Sequence, residues 1–248
     1  MRLTVLGCAG TFPGPASPCS GYLLEHEGFR LLIDLGSGAL GQLQRHVGLL
    51  DVDAIYISHL HADHCIDLVA YSYARCYHPE GMAPALPVYG PAGTAKRILH
   101  SYEAPPLHGL EDVYDFREVP PGTREIGPFT VTAVRVNHPV ECHGLRVEAG
   151  GRSLVYSADT GESDALVELA RDCDLFLCEA SWLHAGDNPP DIHLSGRQAG
   201  EHAARAGVRR LLLTHVVAWT DPQEVLAEAV EVSGCPTELA SCGATYAV

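Results

Sequence analysis

The chain repeats one pattern of apolar spacing twice. Its first half runs LTVLG, then GYLLEHEG and FRLLIDLG as a hairpin, then AIYIS and LPVYG as strands, with helical spacing at 39–47, 65–77 and 92–103. The second half runs FTVTAVRVNH, then GLRVEAGGRSLVYSAD, whose Gly150-Gly151 suits a tight turn, then DLFLCEAS and RRLLLTH. Helical spacing recurs there at 164–171, 195–206 and 222–233. Hairpins that pass into strand–helix alternation, twice over, predict an α/β protein: two sheets packed face to face with helices on both outer faces. The Pro- and Gly-rich pieces TFPGPASP, EAPPLHG, VPPG and DNPP read as loops, several of them placed to rim a site.

A length of 248 residues suffices for one domain with a full core, and one domain over 1–248 is expected. The opening MRLTVLGCAG reads as a strand entering a turn rather than a leader, and no apolar run nears the roughly 18 residues of a membrane span. A cytoplasmic protein with no membrane partner is therefore expected. Nine scattered cysteines without a C-x-x-C pair read as reduced core residues. The formal net charge is −15 and Lys96 is the single lysine, so no broad basic footprint exists for a long nucleic acid. Any anion handled is small or gripped at one point. Oligomeric state is not fixed by these features; a homodimer is allowed.

AIYIS ends in HLHADH, residues 59–64, three imidazoles and a carboxylate where a strand turns towards a helix. Neutral imidazoles and carboxylates are the donor set of zinc, manganese or iron, and close spacing lets one loop present several. Further ligands must come from other strand ends, and three candidates stand there. VNHP puts His138 after FTVTAVRV, SADT puts Asp159 after SLVY, and LLLTH puts His215 after an apolar run. Singly, each reads as a cap or a satisfied polar group; with HLHADH they read as a site.

In that order His59, His61, Asp63 and His64, then His138, Asp159 and His215, resemble the five-motif signature of the metallo-β-lactamase superfamily over essentially the whole chain. The resemblance implies a four-layer αβ/βα sandwich and two divalent metal ions, Zn2+ first, with Mn2+ or Fe2+ as alternatives. It puts one ion on His59, His61 and His138, a second on Asp63, His64 and His215, and Asp159 between them. Asp34 in IDLGSG matches an early family motif whose carboxylate orients a ligand imidazole, beside the plainer reading of a turn-initiating residue. CEASWLHAGDNPPDIHLSGRQAG resembles the phosphodiesterase branch that includes ribonuclease Z, which implies His193 as a further functional side chain near the metals. Glu179 either orients His193 or is buried against a strand amide. Ser195 and Gln198 form S-x-x-Q, a capping box that either offers helix amides to a phosphate beside His193 or is an ordinary cap.

Ribonuclease Z carries a tRNA-gripping arm between the third and fourth metal motifs, whereas His138 and Asp159 are 21 positions apart, enough for a hairpin only. VVAW after His215 also departs from the S-R-Y common in that enzyme, and Cys65-Ile66-Asp67 replaces its glycine-containing continuation. From LTVLGCAGTFPGPASP through HLHADHCIDL, CEASW, DIHLSG and LLLTHVVAWT the sequence is more similar to the actinobacterial metallo-β-lactamase-fold cyclic-nucleotide phosphodiesterases. That implies hydrolysis of 3′,5′-cyclic nucleotides, cyclic AMP first, to 5′-monophosphates by a hydroxide between the two cations, with Asp63, His193 and Glu179 as catalytic side chains and His193 the general acid. A ribonuclease Z-like tRNA 3′-processing endonuclease, a lactonase or thioesterase, and a non-enzymatic diiron module are the alternatives; the last is disfavoured because HLHADH contains no Glu. Arg75, Tyr77 and His78 stand either at the pocket entrance or at a packed helix end, and take no assigned role.

Overall fold

Alternate side chains of a strand face opposite ways, and here each direction meets its own core. In the computed structural model, which describes residues 1–102, 109–185 and 187–248, the first half folds as β1 (Arg2–Gly7), β2 (Ala9–Gly10), β3 (Gly21–His26), β4 (Phe29–Leu35), α1 (Ala39–Leu43), β5 (Ala54–Tyr56), α2 (Ala62–Cys65), α3 (Asp67–Cys76), β6 (Leu86–Gly90), α4 (Thr94–Leu99), α5 (Leu110–Val113) and β7 (Tyr114–Glu118). The second half folds as β8 (Gly122–Ile126), β9 (Phe129–Arg135), β10 (His143–Ala149), β11 (Arg152–Tyr156), α6 (Asp164–Ala170), β12 (Leu175–Glu179), α7 (Gly196–Ala206), β13 (Leu211–Thr214), β14 (Val216–Val217), α8 (Pro222–Ser233), β15 (Thr237–Leu239) and β16 (Thr245–Ala247). The EAPPLHG loop up to His108, and the final residue of the helix expected over 92–103, lie outside the described residues.

Two seven-stranded sheets result, ordered β16-β1-β3-β4-β5-β6-β7 and β15-β13-β12-β11-β10-β9-β8. In the first, β16, β1, β3 and β4 pair antiparallel and β4 to β7 parallel. In the second, β8 to β11 pair antiparallel and β11, β12, β13 and β15 parallel. The two halves therefore share one plan. On β3 and β4, Tyr22, Leu24, Leu31 and Ile33 point into the core shared with the second sheet, which adds Val131, Leu145, Val147 and Leu154. The alternate residues Leu23 and Leu32, and Leu35 beyond the left-handed Asp34 where alternation breaks, point into a second core, against Leu43, Leu68 and Ile98 of the helices. This is the αβ/βα sandwich, with its interior between the sheets.

The hairpin expected between GYLLEHEG and FRLLIDLG forms, as does the one at Gly150-Gly151, where both φ are positive as a primed turn requires. Six strands are additions to the pattern read from sequence: β7, β8, β15 and β16, and the two-residue β2 and β14, which pair with each other. YDFRE and GTREI lie on sheet edges with mostly exposed residues, so alternation fails there, and β15 and β16 are three residues each. The helix expected over 65–77 is two pieces, because α2 starts earlier at Ala62 and hands over to α3 around Ile66. All nine cysteines are free, and no helix among the described residues is long and apolar enough to cross a membrane. Arg75 is buried and donates to the Pro84 carbonyl, so it packs the end of α3 rather than lining an entrance.

The sheets are also bonded to each other in their shared core. Tyr22 Oη meets Thr214 Oγ1 at 2.7 Å, and the Tyr22 ring lies 5.1 Å from that of Tyr156. Tyr22→Phe should destabilise the protein by about 1–3 kcal/mol, since it strands the buried Thr214 hydroxyl. Denaturant unfolding with an unchanged m-value checks it; no shift of the midpoint would contradict the inter-sheet bond.

Candidate metal centre

Strands of both sheets deliver polar side chains to the same edge of the sandwich. β4 carries Asp34, β5 leads to Ser58, His59 and His61, and the first turn of α2 presents Asp63 and His64. From the second sheet, β9 leads to His138, β11 to Asp159, β12 ends in Glu179 and β13 precedes His215. The chain turns sharply to do this: Asp34, Ala158 and His215 adopt φ of 56°, 52° and 58°, a left-handed conformation that non-glycine residues hold only when their surroundings enforce it. Gly36 is tied to this geometry more directly, since a Cβ there would lie 1.8 Å from the carbonyl oxygen of Asp63.

Two clusters form. His59, His61, His138 and Asp159 make one, and Asp63, His64, Asp159 and His215 the other, so Asp159 belongs to both and each cluster takes two side chains from each half of the chain. In the first, His61 Nδ1 lies 3.2 Å from both His59 Nε2 and His138 Nε2, and His59 Nε2 is 3.5 Å from Asp159 Oδ2. In the second, His64 Nε2 and His215 Nε2 are 3.3 Å apart; they stand 3.5 and 3.3 Å from Asp63 Oδ2 and 3.2 and 3.4 Å from Asp159 Oδ1. Donors sharing one tetrahedral zinc at about 2.0 Å are about 3.3 Å apart, so these separations suit a cation in each cluster. Asp159 Oδ1 gives the same answer chemically: it is buried and accepts no hydrogen bond.

Charge is arranged to match. Burial, reinforced by neighbouring imidazoles, pushes His59 well below the ordinary histidine pKa, and burial likewise lowers His61 and His138, which leaves neutral rings with lone pairs to donate. Burial opposes the charge on Asp159, but His215, His64 and His59 around it hold its carboxyl well below the usual range. His64 is pushed well up in spite of burial, because Asp159 and Asp34 flank it; a cation held beside Nε2 would replace that proton.

A further layer orients these groups. Asp34 accepts from Ser58 N at 2.7 Å, Ser58 Oγ at 2.8 Å, Tyr156 Oη at 2.9 Å and, across 2.8 Å, from His64 Nδ1, the nitrogen turned away from the cluster. His138 Nδ1 donates to the Ile192 carbonyl at 2.9 Å. Glu179 accepts from the loop amide of Thr160 at 2.5 Å and, through the same oxygen, from His193 Nδ1 at 3.1 Å. Its other oxygen takes the Ser181 hydroxyl at 2.8 Å, and that hydroxyl oxygen also lies 2.9 Å from His215 Nδ1. Although burial works against it, the Glu179 carboxylate pushes the His193 pKa up to about 9, and Nε2 has no hydrogen bond among the described residues.

A family model described as the beta-lactamase superfamily domain matches residues 29–216, which spans Asp34 and every residue of the two clusters. The chain belongs to the metallo-β-lactamase superfamily. As a member of it, the protein is a metal-dependent hydrolase. The Mycobacterium tuberculosis protein Rv1339 is 45% identical over 255 residues, covering 100% of this chain and 92% of its own. The probable metallo-hydrolase YhfI of Bacillus subtilis is 30% identical over 246 residues, 98% of each chain, and its crystal structure superposes with a TM-score of 0.88. The short form of human tRNase Z, at 23% identity, shares the fold with a TM-score of 0.81 over 100% of this chain and 99% of its own.

One site residue of this metallo-β-lactamase chain is corrected. Ser195 is fully buried as the N-cap of α7, its Oγ accepting from Gln198 N at 3.2 Å and lying 3.0 Å from His184 Nδ1. The next amides are also taken, Gly196 N by the Trp182 carbonyl and Arg197 N by Glu228, so this helix end has none left for a phosphate. Ser58, Tyr156 and Ser181 are functional supports that sequence reasoning missed. Single hydroxyls beside strands carry no spacing signal, although Ser181 stands inside the CEAS motif.

Asp34→Asn retains a side chain that tolerates positive φ but cannot accept all four hydrogen bonds. Metal affinity should fall about 10–100-fold with the fold kept. Chelator competition followed by circular dichroism tests this, and an unaltered affinity would remove Asp34 from the centre.

Proposed function

We propose that the protein hydrolyses 3′,5′-cyclic nucleotides, cyclic AMP first, to 5′-monophosphates, with two divalent ions, zinc foremost, in the two clusters. The observation that carries this reading is His193: an imidazole held charged by Glu179 beside Asp159, with Nε2 open where a leaving oxygen would sit. The ions, when bound, supply Lewis acidity towards phosphoryl oxygens and a lowered pKa for water. The chain's own part is orientation and proton supply. Asp159 and Asp63 hold negative charge inside the clusters, Glu179 fixes the ring of His193, and His193 Nε2 donates to the departing oxygen.

Preference for a small diester over RNA is supported by what lies between His138 and Asp159. That segment contains β10, the Gly150-Gly151 turn and β11, with no inserted arm. Folded RNA needs many phosphate contacts, and a chain of net charge −15 with one lysine offers few. The likeness to human tRNase Z keeps precursor tRNA in the test as the competing substrate.

Elemental analysis should return about two transition-metal ions per chain, and Asp159→Ala should abolish turnover while the protein remains folded. Specificity constants for cyclic AMP and a precursor tRNA under the same metal and salt decide the substrate; accurate tRNA 3′ cleavage with negligible cyclic AMP turnover would overturn the choice. A lactone and a thioester in the same panel test the other chemistries of the fold.

His193→Ala should cut turnover by about two or more orders of magnitude with metal content unchanged. Loss of metal along with activity would make His193 a ligand instead. An unchanged rate would remove it from the chemistry.

A further inference from the structure

Beside His193 lies a cavity of about 250 Å³ whose lining includes no residue of the two clusters. Glu162, Trp182, His184, Asn188, His193 and Gln198 are among the residues around it. Its walls are preformed. Asn137, next to the metal-cluster residue His138, donates from Nδ2 to Asp191 Oδ1 at 2.7 Å, while His138 itself holds the Ile192 carbonyl, so the segment bearing His193 is tied on two consecutive residues to the metal centre. The Trp182 ring stands edge-on to His193 with centroids 5.2 Å apart. Polar groups are left over at the rim: the Glu162 carboxylate has no partner among the described residues, Gln198 is engaged through Oε1, and Asn188 through Nδ2. A small, partly aromatic cavity with a few free acceptors and donors is the composition of a ligand subsite.

We propose that this cavity binds the nucleoside part of the substrate's leaving group, the base packed against Trp182 and a sugar hydroxyl donating to Glu162. The inference rests on the phosphodiesterase reading, since His193 protonates the oxygen that departs and the group attached to that oxygen must lie on the His193 side. Hydrolysis then breaks the phosphorus–oxygen bond to the sugar, water supplies the new oxygen on phosphorus, and the proton from His193 ends on the sugar hydroxyl. Stacking and one charge-assisted hydrogen bond together separate substrates that fill the cavity from those that do not.

The test uses metal-loaded protein and two substrates, cyclic AMP and bis(p-nitrophenyl) phosphate, whose leaving group is a phenolate without sugar or base. Glu162→Ala and Trp182→Leu should each lower kcat/KM for cyclic AMP about tenfold or more and for the artificial diester less than about threefold. Glu162 is exposed, so its variant does not depend on core packing. A separate readout isolates the cavity from the reaction. Trp219→Phe leaves Trp182 the single tryptophan, and adenosine should quench its fluorescence saturably, less tightly when Glu162→Ala is added. Saturable quenching without cyclic AMP turnover would keep the cavity and overturn the reaction. Equal losses on both substrates, or no quenching, would overturn the cavity and leave the reaction standing.

Discussion

Asp159 is the side chain on which the rest of the site depends. Its carboxylate is only 2% exposed, it belongs to both clusters, and one of its oxygens accepts no hydrogen bond. An uncompensated charge in such surroundings costs on the order of several kcal/mol, so positive charge must be brought in beside it. Lysine and arginine do not supply it; the groups around Asp159 are His59, His64, His215 and, at 3.9 Å, His193. Of these rings His59 is held neutral by burial, which suits it to donate a lone pair to a cation from outside the chain.

Two more buried carboxylates keep that arrangement from relaxing. Asp34 comes from the first sheet and Glu179 from the second, and both are fully buried. Asp34 fixes His64 and, through Ser58, reaches His59 Nδ1 at 3.1 Å. Glu179 fixes the backbone amide that follows Asp159, the ring of His193 and, through Ser181, His215. A disturbance at either carboxylate therefore reaches ligands in more than one strand.

Much of this was legible in the order of residues because a metal centre concentrates rare side chains at strand ends. HLHADH, His138, Asp159 and His215 each follow an apolar run, and the structure gathers them at one edge of the sandwich. Edge strands such as β7 and β8 were not legible, since their exposed residues lack alternation. The cap at Ser195 was readable as a cap, but its availability to a ligand was not, because its occupation by His184 and that of the adjoining amide by Glu228 are tertiary facts. Ser58, Tyr156 and Ser181 stayed hidden for the same reason: what matters about them is where their hydroxyls meet a carboxylate after folding.

The division of donors between the two halves would make an ion held in either cluster a cross-link in the mechanical sense. His59 and His61 meet His138 and Asp159 in one cluster, while Asp63 and His64 meet Asp159 and His215 in the other. In neither of these two clusters does one half alone supply more than two donors. An ion that binds the assembled centre tightly and the separated halves weakly adds its binding free energy to the stability of the whole sandwich. The seam between the sheets should therefore loosen in concert with ion loss, and the chain's resistance to unfolding becomes a readout of the metal supply around it.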